Sequence, residues 1–350
     1  MKSNEIAAAL HISREAAELW LQSDTIDLHI DSFIWSRVFG YDLHQIHHSS
    51  WNGFRFCNQL DLPRVHDVQL SGGMWSITTN PYSIRGKSSQ AKIFWQNYQQ
   101  LREILLEDPA VAIARNFAEY QQAKIHNRHA AFLSIQGGNA IAGDLSLLDR
   151  VDDEILRVTL VHLTTSSVGE TSSPCRFLSY KTRGLRNLGK ELIDVLNQKR
   201  ILVDLAHISR QGFFEAVAVH DRTQPLIVTH TGVCGVYPHW RNLDDDQLRA
   251  IADSGGTVGV MFHRGFLGKR KKISAEVVVD HIAHIVNTVG EDFASIGSDF
   301  DGAIIPPDNL RTVLELPRLV DIMLRRGFSS TRVQKILGLN FLRVLRAIRG

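Results

Sequence analysis

The chain has 350 residues, of which 44% are hydrophobic and 22% are charged, a composition typical of a soluble globular protein with a large core. The formal net charge of +2 argues against a nucleic-acid-binding protein that works by neutralising phosphates. The N-terminal residues lack the apolar stretch of a signal peptide, and no run is long enough to span a bilayer. Three cysteines without a Cys-x-x-Cys pair argue against a disulfide framework. We therefore expect a cytoplasmic protein with no nucleic-acid or membrane partner.

Eight short apolar runs have the nearly continuous hydrophobic character of strands that are covered on both faces. In chain order they are residues 25–31, 68–71 continuing into 73–77, 132–136, 158–162, 201–207, 226–230, 257–262 and 294–299. Helical patterns lie between and after them, at residues 91–106, 111–125, 185–199, 244–254, 275–289, 316–325 and 331–348. This alternation predicts one α/β domain over residues 1–350, a (β/α)8 TIM barrel. No Gly-x-Gly-x-x-Gly motif follows the first strand, which weakens the alternative of a dinucleotide-binding fold.

The connection over residues 31–63 is too long for a simple βα loop and is rich in aromatic residues and histidines. We interpret it as an elaborated mouth or lid over the barrel, and the last helices as a cover for its outside. The histidines of this connection are better explained as exposed loop residues than as ligands: His44, His47 and His48. His281 and His284 are three apart on a predicted helix and are interpreted as surface or packing residues.

Side chains that bind metals stand where several of the predicted strands end. They are His29, Asp31, Gln136, His162, His207, His230 and Asp299. A single buried histidine is most often a packing residue, but the carboxyl ends of parallel strands meet at one end of a barrel, where the active sites of this fold lie. The series therefore predicts a catalytic metal site. Imidazole and carboxylate together suit zinc, and also manganese or iron.

The motifs around these residues resemble those of the membrane (renal) dipeptidase family, peptidase family M19. They are Asp27-Leu28-His29-Ile30-Asp31, Gly72-Gly73-x-Trp75-Ser76, Gly137-Gly138, Val203-Asp204-Leu205-Ala206-His207-Ile208-Ser209, His230-Thr231-Gly232, Gly297-Ser298-Asp299-Phe300-Asp301-Gly302 and Gly338-x-Asn340-x-Leu342-Arg343-Val344. They occur in order over nearly the whole chain. The resemblance implies a (β/α)8 barrel with two zinc ions that hydrolyses dipeptides, or similar small amides, through a metal-bound hydroxide.

The resemblance also implies a role for each matching residue. His29 and Asp31 would bind one metal, and His207 and His230 the other. His162 would steady the tetrahedral intermediate, and Asp299 would accept a proton from the attacking water or bind the substrate's amine. Arg241 would pair with the substrate's carboxylate, a role that suits the guanidinium fork. Family members often form homodimers, although no interface is evident in the sequence.

The sequence departs from the family at two positions. Gln136 stands where the family has the glutamate that bridges the two metals, and an amide offers one neutral oxygen and an NH2 group that repels cations. Three outcomes are open: one metal with hydrolysis, two metals with Gln136 as a weak ligand, or a degenerate barrel that binds a ligand or partner without catalysis. His263 stands where the family usually has a tyrosine near the substrate, which leaves the identity of the substrate open.

Overall fold

A computed structural model describes residues 2–47, 56–79, 87–151, 153–174, 183–269 and 272–350. In these ranges nine strands form one sheet, and all of their pairings are parallel. The strands are β1 (Ile26–Ile30), β2 (Gly72–Thr78), β3 (Val111–Ile113), β4 (His129–Gln136), β5 (Ile155–Thr159), β6 (Leu202–Asp204), β7 (Leu226–Thr231), β8 (Thr257–Val260) and β9 (Ala294–Ile296). Their order is β1-β2-β4-β5-β6-β7-β8-β9, and β3 pairs with β4.

The sheet closes on itself just beyond the end of β9. Ile30 and Phe300 form a parallel bridge. The Asp299 N–H donates to the His29 carbonyl at 3.1 Å, and the Asp31 N–H donates to the Phe300 carbonyl at 2.9 Å. The eight strands other than β3 therefore form a (β/α)8 TIM barrel, which confirms the predicted fold. These same bonds bring the ends of β1 and β9, and the side chains that follow them, side by side.

Helices connect the strands and cover the outside of the barrel. They are α1 (Ser3–Leu10), α2 (Arg14–Gln22), α3 (Phe33–Phe39), α4 (Leu62–Val68), α5 (Lys87–Glu107), α6 (Phe117–Ile125), α7 (Asn187–Gln198), α8 (Arg210–Val219), α9 (Asp245–Asp253), α10 (Arg264–Leu267), α11 (Ala275–Val289), α12 (Pro317–Arg325), α13 (Ser330–Gln334) and α14 (Asn340–Arg349), with a π-helical turn at Lys335–Leu339. Helix α9 illustrates how the sequence determines a helix. Asp244 and Gln247 form a capping box at its start, and Leu248 and Ile251 are buried on its apolar face. None of the helices in the described ranges has the length and apolar character needed to cross a membrane.

Two predicted elements differ from the structure. Residues 68–71 are not strand: α4 ends at Val68, because Gln69 adopts a left-handed conformation (φ 57°) as its C-cap. Residues 111–125 are not one helix, since Val111–Ile113 pairs with the start of β4. Helix α6 begins only after Asn116, whose side chain accepts a hydrogen bond from the Glu119 N–H.

The long first connection is fastened to the end of the last strand by Asp301. The carboxylate of Asp301 accepts hydrogen bonds from the Ser32 hydroxyl at 2.5 Å, the Gln59 N–H at 2.9 Å and the Leu60 N–H at 3.1 Å. The Trp35 indole of α3 donates to the Asp301 carbonyl at 2.7 Å. Both ends of the connection are thus held against the carboxyl end of the barrel.

Candidate metal centre

The residues predicted from the strand ends meet at one end of the barrel. His29 lies in β1 and His230 in β7, and Gln136 is the last residue of β4. His162, His207 and Asp299 follow shortly after β5, β6 and β9. Their side chains are buried, as is that of Asp31 directly after β1. The predicted convergence is therefore a feature of the fold, whereas the role of each residue stays a prediction.

The imidazole and carboxylate groups are close enough to share a cation. The Nε2 atoms of His207 and His230 are 2.8 Å apart. His29 Nε2 is 3.5 Å from Asp31 Oδ2 and 3.8 Å from Asp299 Oδ1, and the His29 and His230 rings stack with centroids 3.8 Å apart. Among the described residues, His29, His230 and Asp299 form a group whose ligand atoms all lie within 4.8 Å of one another. This spacing suits a metal ion.

Two of these residues adopt an uncommon backbone conformation. His207 (φ 67°) and Asp299 (φ 63°) lie in the left-handed region, which residues other than glycine adopt rarely. Such conformations cluster at functional sites, because the surrounding structure must hold them in place. Both residues lie three positions beyond the end of a barrel strand, where the side chains converge.

The hydrogen bonds behind His230 present a free lone pair to the site. The Thr229 hydroxyl donates to Asp204 Oδ2 at 2.7 Å and lies 2.9 Å from His230 Nδ1. A hydroxyl has one hydrogen, so its oxygen must accept from His230 Nδ1–H, and this leaves Nε2 unprotonated. An outer group that accepts from the second ring nitrogen is typical of metal-binding histidines. Two Nε2 atoms 2.8 Å apart also require a proton or a cation between them. This side of the site therefore fits a metal.

Gln136 lies between Asp31 and two histidines. With the amide nitrogen towards Asp31, it donates to both carboxylate oxygens at 2.9 Å, and the amide oxygen accepts from His29 and His162 Nε2 at 3.2 Å. In the opposite orientation the amide oxygen would face two carboxylate oxygens with no hydrogen between them, which is unfavourable unless a cation intervenes. The first orientation satisfies every atom of the amide within the protein.

Arg241 provides a buried cation in the loop after β7. Its Nη2 donates to the His230 carbonyl at 2.7 Å, and its Nε has no hydrogen-bond partner although it is buried. Burial lowers the pKa of Arg241 to about 10, and Asp299 offsets part of this shift. A buried guanidinium with an unused N–H group is suited to a bound anion, since an unmet donor is costly.

Burial also changes the acid–base properties of the two predicted catalytic residues. It lowers the pKa of His162 to about 4, so this ring is neutral near pH 7, and its Nδ1 has no partner. Burial, together with the nearby carboxylate of Asp31, raises the pKa of Asp299 well above its ordinary value. A carboxylate with a raised pKa is a stronger base than an ordinary one, which suits proton transfer.

One important residue, Arg157, was missed in the sequence. Arg157 in β5 is fully buried, and its Nη2 donates to His29 Nδ1 at 3.0 Å. Its Nη1 lies 3.2 Å from Asp204 Oδ2. The detectable signal is the single positive charge inside the apolar segment Ile155–Thr159, which the predicted strand beginning at residue 158 left out.

The remaining histidines have local partners. His263 follows β8, its Nδ1 accepts from the Ile305 N–H at 3.1 Å, and its ring packs edge-on against Phe266. His281 is buried, as a packing residue: Nδ1 accepts from the Val233 N–H at 2.9 Å and Nε2 lies 3.1 Å from the Leu267 carbonyl. Three others pair with groups of the loops and helices around them: His44 with Glu107, His47 with the Asp42 carbonyl and His284 with Asp245. His48 lies outside the described residues.

Comparison with known proteins gives consistent results. The chain is 39% identical over 169 residues to "Uncharacterized protein in pqqA 5'region" of Klebsiella pneumoniae, and 34% identical over 166 residues to "Dipeptidase tcpJ" of Claviceps purpurea. Each match covers 47% of this chain, and 61% and 39% of the respective relatives. The chain thus covers less than two thirds of the length of these relatives.

Solved structures share the fold. The probable dipeptidase PvdM from Pseudomonas aeruginosa superposes with a TM-score of 0.84 at 20% identity, over 96% of this chain and 98% of that one. A metallopeptidase from Rhodobacter sphaeroides, crystallised with a phosphinate mimic of L-Ala-D-Ala, superposes with a TM-score of 0.79 at 24% identity, over 92% and 98%. The family model described as "Membrane dipeptidase (Peptidase family M19)" matches residues 13–350. The chain therefore belongs to the membrane dipeptidase family, peptidase family M19.

Proposed function

We propose that the protein is a metal-dependent dipeptidase that hydrolyses a dipeptide or a similar small amide, with zinc as its metal. The observation that carries this proposal is the group of His29, His230 and Asp299, whose ligand atoms lie within 4.8 Å of one another, with His207 Nε2 2.8 Å from His230 Nε2 and the buried guanidinium of Arg241 on the His230 carbonyl. Family membership and the dipeptide mimic bound to the Rhodobacter sphaeroides relative support the same reaction class. His207 and His230 would hold the metal, and the Asp299 carboxylate lies close to His230. His29, Asp31 and Gln136 form the opposite wall of the site.

Each residue contributes one step of the reaction. The unused Nε–H of Arg241 would bind the terminal carboxylate of the dipeptide and so fix the position of its peptide carbonyl. A bound divalent metal supplies the polarising charge, because it lowers the pKa of a water to about 7 and draws electrons from a carbonyl. Asp299 would take the proton from the attacking water, since burial and the neighbouring Asp31 raise its pKa and so make its carboxylate a stronger base.

The proton that Asp299 takes from the water would end on the leaving amine. As the water oxygen bonds to the carbonyl carbon, His162 would stabilise the tetrahedral intermediate as a neutral hydrogen-bonding group. When the carbon–nitrogen bond breaks, Asp299 would return its proton to the leaving amine, so the site regains its starting protonation. His263 follows β8 at the rim of the site. We propose that it contacts the substrate and contributes to substrate specificity.

Location and assembly are further parts of the proposal. Cys57 and Cys234 are free thiols, which supports a reducing compartment, the cytoplasm. The homodimer is proposed from the family alone. Fractionation of the native cells and light scattering of the purified protein test these two points.

Hydrolysis of dipeptides tests the proposed activity, and the Arg241→Met variant tests the role of the guanidinium. The metal-loaded protein is expected to hydrolyse members of a panel of dipeptides with L- and D-residues at the C-terminal position. Loss of one charged, buried contact is expected to lower kcat/KM by at least about 30-fold, which corresponds to about 2 kcal/mol. Arg249→Met is the control for the substitution itself, because Arg249 is exposed on α9 and pairs with Asp246.

A substrate with a blocked carboxylate makes the test specific. Wild-type protein should hydrolyse dipeptide amides poorly, and the Arg241→Met variant should lose much less activity on these amides than on free dipeptides. Metal-loaded protein that hydrolyses no member of the panel would contradict the proposal and favour a barrel that only binds a ligand. Equal activity of Arg241→Met and wild type would remove Arg241 from substrate binding.

A further inference from the structure

We propose that this site holds one divalent cation, on the His207–His230 side with Asp299, and that Arg157 and Gln136 take the place of a second one. This inference rests on the proposed function, because it concerns the metal of the same reaction. It differs from the pair of metals that the family resemblance implies. Three observations carry it: the hydrogen bonds of Gln136, the contact of Arg157 with His29, and the free Nε2 of His230.

The Gln136 amide satisfies Asp31 without a metal. With its nitrogen towards Asp31, the orientation that satisfies every atom of the amide, the NH2 group donates to both Asp31 oxygens at 2.9 Å, and the Thr78 hydroxyl donates to Asp31 Oδ1 at 3.1 Å. A buried carboxylate with this many donors needs no further cation. A second metal would have to displace the amide and bind a neutral oxygen instead.

Arg157 determines which nitrogen of His29 carries the hydrogen. A guanidinium can only donate, so His29 Nδ1, 3.0 Å from Arg157 Nη2, must be the acceptor. The hydrogen of the neutral ring is then on Nε2, the atom that faces Asp31 and Asp299. A nitrogen that carries a hydrogen has no lone pair for a metal. His29 is therefore close enough to be a ligand, but it is in the wrong tautomer.

The positive charge of Arg157 also disfavours a metal ion at His29. Its guanidinium is fully buried in the barrel and pairs with Asp204, with Nη1 3.2 Å from Oδ2. It also donates to the Ser76 hydroxyl at 3.0 Å, and Nε lies 3.1 Å from the sulfur of Met74. These contacts hold a fixed positive charge directly behind His29. A dication on the other side of the same ring would be repelled at short range in a medium of low dielectric constant.

On the His207–His230 side, the tautomer of His230 leaves a nitrogen free to bind a metal. Thr229 accepts from His230 Nδ1, so the lone pair of Nε2 is free, and His207 Nε2 lies 2.8 Å away. Asp299 belongs, with His230 and His29, to the group whose ligand atoms lie within 4.8 Å of one another. One ion on this side therefore has two imidazole nitrogens to bind, with the Asp299 carboxylate beside His230.

Metal stoichiometry tests the inference independently of activity. Freshly purified protein, loaded with excess Zn²⁺ and then desalted, should contain one zinc per chain by elemental analysis. Asp31→Asn should keep one zinc, whereas His230→Asn should lose it. Gln136→Glu restores a carboxylate and should add a second, weaker zinc in a calorimetric titration, and Gln136→Glu combined with Arg157→Met should bind two zincs tightly. Gln121→Glu, at an exposed position on α6, is the matched control and should stay at one.

The outcomes separate this inference from the proposed function. Two zincs in the wild type, or loss of the ion in Asp31→Asn, would overturn the single-metal site even if dipeptides are hydrolysed. One zinc without hydrolysis would support the single-metal site and contradict the dipeptidase. Removal of Arg157 leaves Asp204 buried without its partner, so a variant that fails to fold is a foreseeable result. In that case Gln136→Glu alone decides, and an unchanged count of one in that variant would overturn the role of Gln136.

Discussion

His129, at the first residue of β4, shows how a single buried histidine can set a pH dependence of stability. Its Nδ1 lies 2.8 Å from the Leu70 carbonyl, and its Nε2 accepts from the Trp75 indole at 3.1 Å. Both ring nitrogens are thus used by the neutral form, and a second proton would have to displace the Trp75 hydrogen bond. Burial lowers the pKa of His129 to about 4.

The free energy of unfolding should therefore fall as the pH decreases from about 6.5, the ordinary pKa of histidine, to about 4. In this window the unfolded chain binds a proton that the folded protein does not. Above it neither state is protonated, and below it both are. The effect for His129 is expected to reach about 3 kcal/mol. The stability difference between wild type and His129→Gln should shrink by this amount in urea titrations between pH 7 and pH 4.

The exposed His126 provides the control for this prediction. The stability difference between wild type and His126→Gln should stay the same over the same pH range. If the difference for His129→Gln is equally flat, then His129 is not responsible for the pH dependence. His129 lies at the amino end of its strand, so the measurement does not involve the candidate metal ligands.

Among the elements, β9 depends on a close approach to β7. A Cβ atom on Gly297 would lie 1.8 Å from the Thr229 carbonyl oxygen, and one on Gly259 would lie 2.0 Å from the same atom. A contact this short with backbone cannot be relieved by a rotamer change. The last two strands can therefore close the barrel only because these two positions lack side chains.

Gly297→Ala should accordingly destabilise the protein by more than about 3 kcal/mol, since β9 or β7 must shift. Urea unfolding measures this loss. Gly327→Ala is the control: it lies in open space with φ +80°, so it should cost only the backbone strain, about 1 kcal/mol. A loss in Gly297→Ala no larger than that in Gly327→Ala would contradict the close approach.

The elements also show which parts of the fold can be predicted from sequence. Strands buried on both faces produce continuous apolar runs, which is why eight runs correspond to the eight strands of the barrel. The short strand β3 (Val111–Ile113) was not predicted, because it pairs only with the start of β4 and follows a long helix. Residues 68–71 were wrongly predicted as strand. The left-handed conformation of Gln69 ends α4 there, and the hydrophobic pattern does not reveal it.

At the scale of the whole molecule, the sequence predicts which side chains meet but not how they are protonated. His29 and His230 both follow apolar runs and look alike in sequence. Arg157 on one side and Thr229 on the other give them opposite tautomers. Arg157 comes from β5, and Thr229 must accept from His230 because its own hydrogen is donated to Asp204 of β6. Only the closed barrel brings these groups together. The position of Gln136 was recognised from the resemblance, whereas its contact with Asp31 required the structure.

The central claim is that hydrolysis of dipeptides by this protein requires one bound metal. The most direct measurement is the reconstitution of activity: the protein is stripped with a chelator, and the hydrolysis rate of a dipeptide is followed as Zn²⁺ is added in fractions of an equivalent. We predict that the rate rises linearly and reaches a plateau at one zinc per chain. A protein that stays inactive at every amount of zinc, or a rate that increases only beyond the first equivalent, would contradict the account.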